Sequence, residues 1–128
     1  DGDVLGALYV SDPKYNIDMF LGIGGGPEGV LAACALDAYD CHFQGRFIFD
    51  NDKDINEAKL MGITDLSKKY ELNEIVRGDS LFCASGITNN EVLNGIIIEG
   101  DKFISETLVT HKNTNFKEIV KSINSINE

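Results

Sequence analysis

The chain has 128 residues, enough for one domain or part of one, and an apolar fraction of 43% is sufficient for a core. Its net charge of −10 argues against nucleic-acid partners and anionic membrane surfaces, both of which call for clustered Lys and Arg. A phosphorylated substrate is not excluded, because a bound metal ion can reverse the local sign of a site in an acidic protein.

In chain order, Asp3 is placed to cap a short helix over residues 4–10, and Pro13 and Asn16 mark a loop. The apolar run over 17–23 predicts a buried strand. It leads into Gly22-Ile23-Gly24-Gly25-Gly26-Pro27-Glu28-Gly29-Val30, which predicts a tight loop and then a helix over 27–39. Proline suits the first helical position, and Glu28 then falls in the first turn, beside free amides and the positive end of the helix dipole. That position can hold an anion directly, or hold a carboxylate that grips a metal. The helix reads as apolar nearly all round, so its covering layers are expected to belong partly to residues outside this chain.

Phe43, Gly45, Phe47 and Phe49 alternate with Gln44 and Arg46, which predicts a strand with one covered face. Asp54 and Glu57 suggest a capping box for a helix ending near Gly62. A short turn is expected around 72–76, a strand over 80–84 and a turn at 86–89. A hairpin over 95–99 and 103–110 turns at Gly100-Asp101-Lys102. The tail fits two patterns. Phe116, Ile119, Val120 and Ile123 have helical spacing, whereas Phe116, Glu118 and Val120 alternate; a helix from Ile119 onward is favoured. Strands mixed with helices and a hairpin point to a layered α/β or α+β body with a mixed sheet.

Several chemistries are weak from the residues alone. The glycine loop lacks the Lys of a phosphate-binding P-loop. Gly24, Gly26 and Gly29 fit a dinucleotide motif, but without a clear acidic residue closing a second strand. Ser85 is not in a nucleophile elbow. Cys34, Cys41 and Cys83 have no repeated spacing, so a disulfide framework is not expected; Cys34 and Cys83 read as buried thiols, and reduced thiols fit a cytoplasm. Cys41-His42 lacks a partner pair for zinc. Arg46, His42 and His111 read as paired, packed or surface residues. The longest apolar run, residues 30–36, is far below the ~20 residues of a membrane span.

Asp1-Gly2-Asp3-Val4, the block from Gly22 to Ala33 and Phe43-Gln44-Gly45-Arg46-Phe47 together resemble the second half of class II fructose-1,6-bisphosphatases. Ala84-Ser85-Gly86-Ile87-Thr88 and Glu106-Thr107-Leu108-Val109 follow in the order that family has. The resemblance implies the C-terminal part of a larger α/β/α-layered sugar phosphatase fold, with the N-terminal half and its metal ligands and water-activating residues lying outside this chain. It implies a metal-dependent enzyme that removes the 1-phosphate of fructose 1,6-bisphosphate in gluconeogenesis, some members also accepting sedoheptulose 1,7-bisphosphate. It carries a metal-ligand role to Glu28, for Mn2+ or Mg2+, and substrate contact to Asp1, Gly2, Asp3 and Gly25. No catalytic base is assigned within the chain. The expected partners are a sugar bisphosphate, the N-terminal half and further copies of the protein, in the cytoplasm.

The tail departs from the family pattern. Where the family reads Leu-Val-Met-Arg-Ser, this chain has Leu108-Val109-Thr110-His111-Lys112, so His111 stands in place of the Arg. Two alternatives remain at this point. One is a relative acting on inositol or nucleotide phosphates. The other is a non-catalytic segment that binds a sugar phosphate or a partner chain.

Overall fold

The computed structural model describes residues 2–126. Helix α1, Gly2–Leu8, runs into two 3-10 turns, Tyr9–Ser11 and Pro13–Tyr15; Asp12 caps the second by accepting from the Lys14 amide at 3.0 Å. Asp3 lies inside the first turn of α1 rather than capping it. A stretch without regular secondary structure follows, then helix α2, Gly26–Leu36, closed by a 3-10 turn at Asp37–Tyr39.

The C-terminal half builds an antiparallel sheet from β3 (Leu81–Ser85), β4 (Ile97–Glu99), β5 (Lys102–His111) and β6 (Phe116–Ser125). Strand β5 is its spine. β3 pairs with residues 107–111 and β4 with residues 102–104, while β6 pairs along all of β5. A small ribbon joins β1 (Gln44–Gly45) to β2 (Tyr70–Glu71), with helices α3 (Asp52–Leu60) and α4 (Leu72–Ile75) beside it. Helices and sheet together give the α/β class expected from sequence. The ladders among the described residues are all antiparallel, so the parallel partners of a mixed sheet are not among them.

The core lies where α1 and α2 meet the sheet. Leu8, Ala35, Phe82, Leu93 and Leu108 form one buried cluster, and Ala7, Ala32 and Leu36 a second. Alanines at 32, 33 and 35 let α2 pack closely, and their burial contrasts with the exposed Val30 and Leu31 on the opposite side. The end of α2 is tied to the β5–β6 turn, where the Lys112 ammonium donates to the buried Asp37 carboxylate at 3.0 Å. Removing that lysine would leave a desolvated carboxylate without this partner.

Several elements differ from the sequence expectation. Residues 17–23 form no strand among the described residues. The strand over 43–49 shrinks to Gln44–Gly45, because only Tyr70–Glu71 lies beside it; Phe47 packs on Phe49 and Tyr70 instead. Helix α3 is capped by Asn51, whose Oδ1 accepts from the Asp54 amide at 3.0 Å, not by an Asp54–Glu57 box. The capping box occurs at α4, between Glu71 and Glu74. Cys83 is exposed on β3 rather than buried, and Cys34 is half-buried, with burial pushing its thiol up.

The tail is a strand, not a helix. Asn115 adopts φ 53° and closes a turn with its amide on the Lys112 carbonyl at 2.9 Å. That turn delivers Phe116 opposite His111, the first of ten register pairs. β-branched Ile119, Val120 and Ile123 suit this pleated pairing better than a helix.

Thr110, 1% exposed, keeps its hydroxyl in the interior with no hydrogen-bond partner among the described residues. Leaving such a donor orphaned costs about 1–3 kcal/mol. Thr110→Val, which keeps the shape and removes the hydroxyl, is expected to raise stability by about 1 kcal/mol. Urea unfolding of the two proteins checks it.

Candidate active-site bend

The bend between residue 22 and α2 is made of glycines, yet none of Gly22, Gly24, Gly25 and Gly26 has a positive φ. What these residues supply is room. Gly25 is the N-cap of α2 at φ −68°, ψ 158°, Gly26 is the first helical residue, Pro27 the second and Glu28 the third. Proline therefore sits one position later than expected, still within the turn whose amides have no helical acceptor.

Asp3 and Glu28 converge on this bend. A Cβ on Gly24 would lie 2.8 Å from Asp3 Oδ2 and 3.9 Å from Glu28 Cβ. A Cβ on Gly25 would collide with Glu28 Oε2 and lie 3.3 Å from its Cδ. The third helical residue reaches back over the N-cap, as a carboxylate in a capping box does. Each acid thus comes from the first turn of its own helix, α1 for Asp3 and α2 for Glu28, and each rests on one of two consecutive glycines. The packing of α1 against α2 brings them together, although they are 25 residues apart in the chain.

Gly24, Gly25 and Gly26 are exposed and Glu28 is half-buried, so the bend opens to solvent. Gly2 is also exposed, at the start of α1; Asp1 lies outside the described residues. Oxygen donors of this kind suit Mg2+ or Mn2+. Among the described residues no group of three or more His, Cys, Asp or Glu is placed to hold a metal. A Cβ built on Gly26 would meet nothing within 4 Å, which leaves that face of the helix start open.

The other sequence candidates lie elsewhere. Arg46 is exposed just after β1. His42 lines a shallow cleft with Cys41, Phe43, Glu71, Leu72 and Asn73. His111, in place of the family Arg, ends β5; its Nε2 is 2.7 Å from Asp79 Oδ1 and its Nδ1 2.8 Å from Thr114 Oγ1. That arrangement fastens the β5–β6 turn to the loop before β3.

Two segments that resemblance marked separately become one ladder end. Ser85 pairs with Thr107, their hydroxyls 2.8 Å apart, and the Gly86 amide donates to the Glu106 carbonyl at 2.9 Å. Glu106 then accepts from both the backbone and side chain of Asn94 at 2.8–3.1 Å, and these bonds hold its carboxyl below the usual range.

Sequence reasoning passed over a second cleft, about 230 Å³, bordered by Lys14, Tyr15, Tyr39 and Lys117. The Tyr9 hydroxyl donates to Glu91 at 2.5 Å, which pushes the phenol up to about 12. No local spacing in the sequence joins residues 9 and 91; only the folded 86–95 loop does.

A family model for bacterial fructose-1,6-bisphosphatase, glpX-encoded, matches residues 1–126. A D-fructose 1,6-bisphosphatase class 2/sedoheptulose 1,7-bisphosphatase 2 of Acaryochloris marina (strain MBIC 11017) is 38% identical over 122 residues, covering 85% of this chain and 35% of the relative. The D-fructose 1,6-bisphosphatase class 2/sedoheptulose 1,7-bisphosphatase of Prochlorococcus marinus (strain AS9601) is 34% identical over 123 residues, covering 85% of this chain and 37% of the relative. The chain spans about a third of the length of the curated relatives it matches. No described helix is long and apolar enough to cross a membrane.

Proposed function

Because the chain belongs to the bacterial glpX-type fructose-1,6-bisphosphatase family, we propose that it is the C-terminal part of a metal-dependent sugar bisphosphatase. The full-length protein hydrolyses the 1-phosphate of fructose 1,6-bisphosphate to fructose 6-phosphate, in gluconeogenesis and in the cytoplasm. Sedoheptulose 1,7-bisphosphate, named for the relatives, is a second substrate of the same chemistry. The observation that carries the reading is the convergence of the Asp3 and Glu28 carboxylates on Gly24 and Gly25.

Glu28 is the ligand this chain offers to Mg2+ or Mn2+, the remaining ligands coming from the part of the protein outside it. When bound, such an ion supplies Lewis-acid charge and a reactive water for phosphate ester hydrolysis. The chain's own residues position the substrate. Free amides at the start of α2, next to Gly25, donate to sugar-phosphate oxygens. Asp1 and Asp3 accept from sugar hydroxyls, with Gly2 leaving the backbone accessible between them. Holding the ester in one pose is worth several kcal/mol of the barrier.

The test measures phosphate release from fructose 1,6-bisphosphate by the full-length protein and by the 128-residue chain alone. The full-length protein is expected to turn over with Mn2+ or Mg2+ and to stop on chelation. The isolated chain, with one assigned metal ligand, is expected to release no phosphate above background. Metal-independent turnover, or turnover by the isolated chain, would overturn the reading.

A further inference from the structure

We infer that the cleft of about 230 Å³ beside Lys14, Tyr15, Tyr39 and Lys117 is a binding site for a small aromatic monocarboxylate, separate from the Gly24–Gly25 bend. Its lining comes from segments far apart in the chain. Leu8 and Tyr15 lie in the first fifteen residues, Tyr39 in the turn after α2, Val92 in the 86–95 loop, and Lys117 and Ile119 two positions apart on β6, hence on one face of the strand. Asp3 and Leu8 are at opposite ends of α1, and no residue from 22 to 28 borders the cleft.

Two cations border this cleft in a chain with 11 Lys and Arg against 21 Asp and Glu. They are not equivalent. The Lys14 ammonium is 3.1 Å from the Asp12 carboxylate, which borders the cleft as well, so this pair is neutral. Lys117 has no carboxylate within ion-pair distance among the described residues; its contact is the Tyr39 ring, whose centroid lies 5.6 Å from the ammonium. The Tyr39 hydroxyl makes no hydrogen bond among the described residues, and burial pushes its pKa up, so at neutral pH it keeps its proton to donate. One uncompensated positive charge and one unused hydroxyl donor are thus neighbours, and a single carboxylate accepts from both. A phosphate dianion would bring one charge more than the cleft can match.

The body of the ligand is set by the rest of the lining. Leu8, Val92, Leu108 and Ile119 offer aliphatic surface, and Tyr15 and Tyr39 offer rings against which another ring packs. A sugar would need more partners than are open to it. The Ser11 hydroxyl already donates to the Leu8 carbonyl at 2.7 Å, and Asp12 is taken by the Lys14 amide and ammonium. Drug-sized pockets begin at roughly 300 Å³, so this volume limits the ligand to a small molecule. The lining is also held in place before any ligand arrives. The Tyr15 hydroxyl donates to the Glu91 carbonyl at 3.0 Å, and its ring centroid is 4.7 Å from that of Tyr9. A preformed cleft lowers the ordering cost of binding.

Calorimetric titration of the full-length protein with benzoate tests the inference without any activity readout, so the result stands apart from the phosphatase reading. One benzoate per chain is expected to bind. Benzamide, which keeps the ring and loses the charge, and inorganic phosphate, which lacks the ring, are each expected to bind about tenfold more weakly or less. Lys117→Met is expected to weaken benzoate about tenfold, Tyr39→Phe by a smaller factor, and Lys117→Arg to retain it. Saturating fructose 1,6-bisphosphate should leave the benzoate affinity unchanged. Absence of saturable benzoate binding overturns the inference. So does displacement by fructose 1,6-bisphosphate, which would assign the carboxylate to the bend, or equal binding of benzamide or phosphate. Unaltered affinity in both Lys117→Met and Tyr39→Phe overturns it too. If Lys117→Met does not fold, Tyr39→Phe, which changes one hydroxyl in the same cleft, decides.

Discussion

Glu28→Ala in the full-length protein is expected to lower metal-dependent turnover of fructose 1,6-bisphosphate by about 100-fold or more, the scale seen when one preorganised charge-stabilising group is lost. Folding stability should barely change. The side chain is half-buried at the third position of α2, where a carboxylate near the helix dipole contributes only about 0.3–1 kcal/mol. The contrast between a large loss of rate and a small shift in unfolding midpoint is the discriminating result, because a merely structural acid would move both together or neither. Retained activity would remove Glu28 from the site. The reason the position matters is geometric: the carboxylate rests on Gly25 so closely that any side chain there would displace it. Excess Mn2+ should partly restore a variant that has lost affinity alone, which Glu28→Asp, one methylene shorter, is suited to reveal.

The parts of the molecule that sequence made legible are those decided by local chemistry. The α2 start follows from Gly-Pro-Glu, and the β4–β5 hairpin from Gly100, which takes φ 65° as the turn requires. The parts that were not legible depend on partners far along the chain or outside it. Residues 17–23 have a strand's pattern, but among the described residues no strand forms there, so local pattern alone did not decide the element. The tail offered both periods, and the winner was set by ten pairs with β5, which no window around residue 119 contains. At the candidate site, Glu28 was visible from its place after Pro27, but its proximity to Asp3 at Gly24 depends on how α1 packs on α2. Asp54 and Glu57, read from sequence as a capping box, instead lie in a helix capped by Asn51.

Gly86→Ala is expected to destabilise the protein by about 1–3 kcal/mol, the usual cost of forcing an extra methyl into a filled interior. Gly86 is buried, and a Cβ there would overlap the Asn94 carbonyl oxygen and press on Leu93 Cβ at 3.0 Å. Relief by side-chain rotation is not open, because the first obstacle is backbone. Nor can the 86–95 loop shift freely. Asn90 Oδ1 accepts from the Val92 and Leu93 amides at 2.8 and 2.9 Å, Asn89 Oδ1 accepts from the Gly95 amide at 2.8 Å, and Glu106 holds Asn94. Leu93 belongs to the cluster of Leu8, Ala35, Phe82 and Leu108, so a displaced loop would loosen the contact between α1, α2 and the sheet. That same contact brings Asp3 to Glu28, which predicts that Gly86→Ala also weakens substrate binding from a distance. Gly100→Asn is the control: its φ of 65° is one that asparagine tolerates, nothing lies within 4 Å, and its unfolding midpoint should match the parent closely. Equal midpoints for Gly86→Ala and the parent would mean that the loop yields where its hydrogen bonds say it is held.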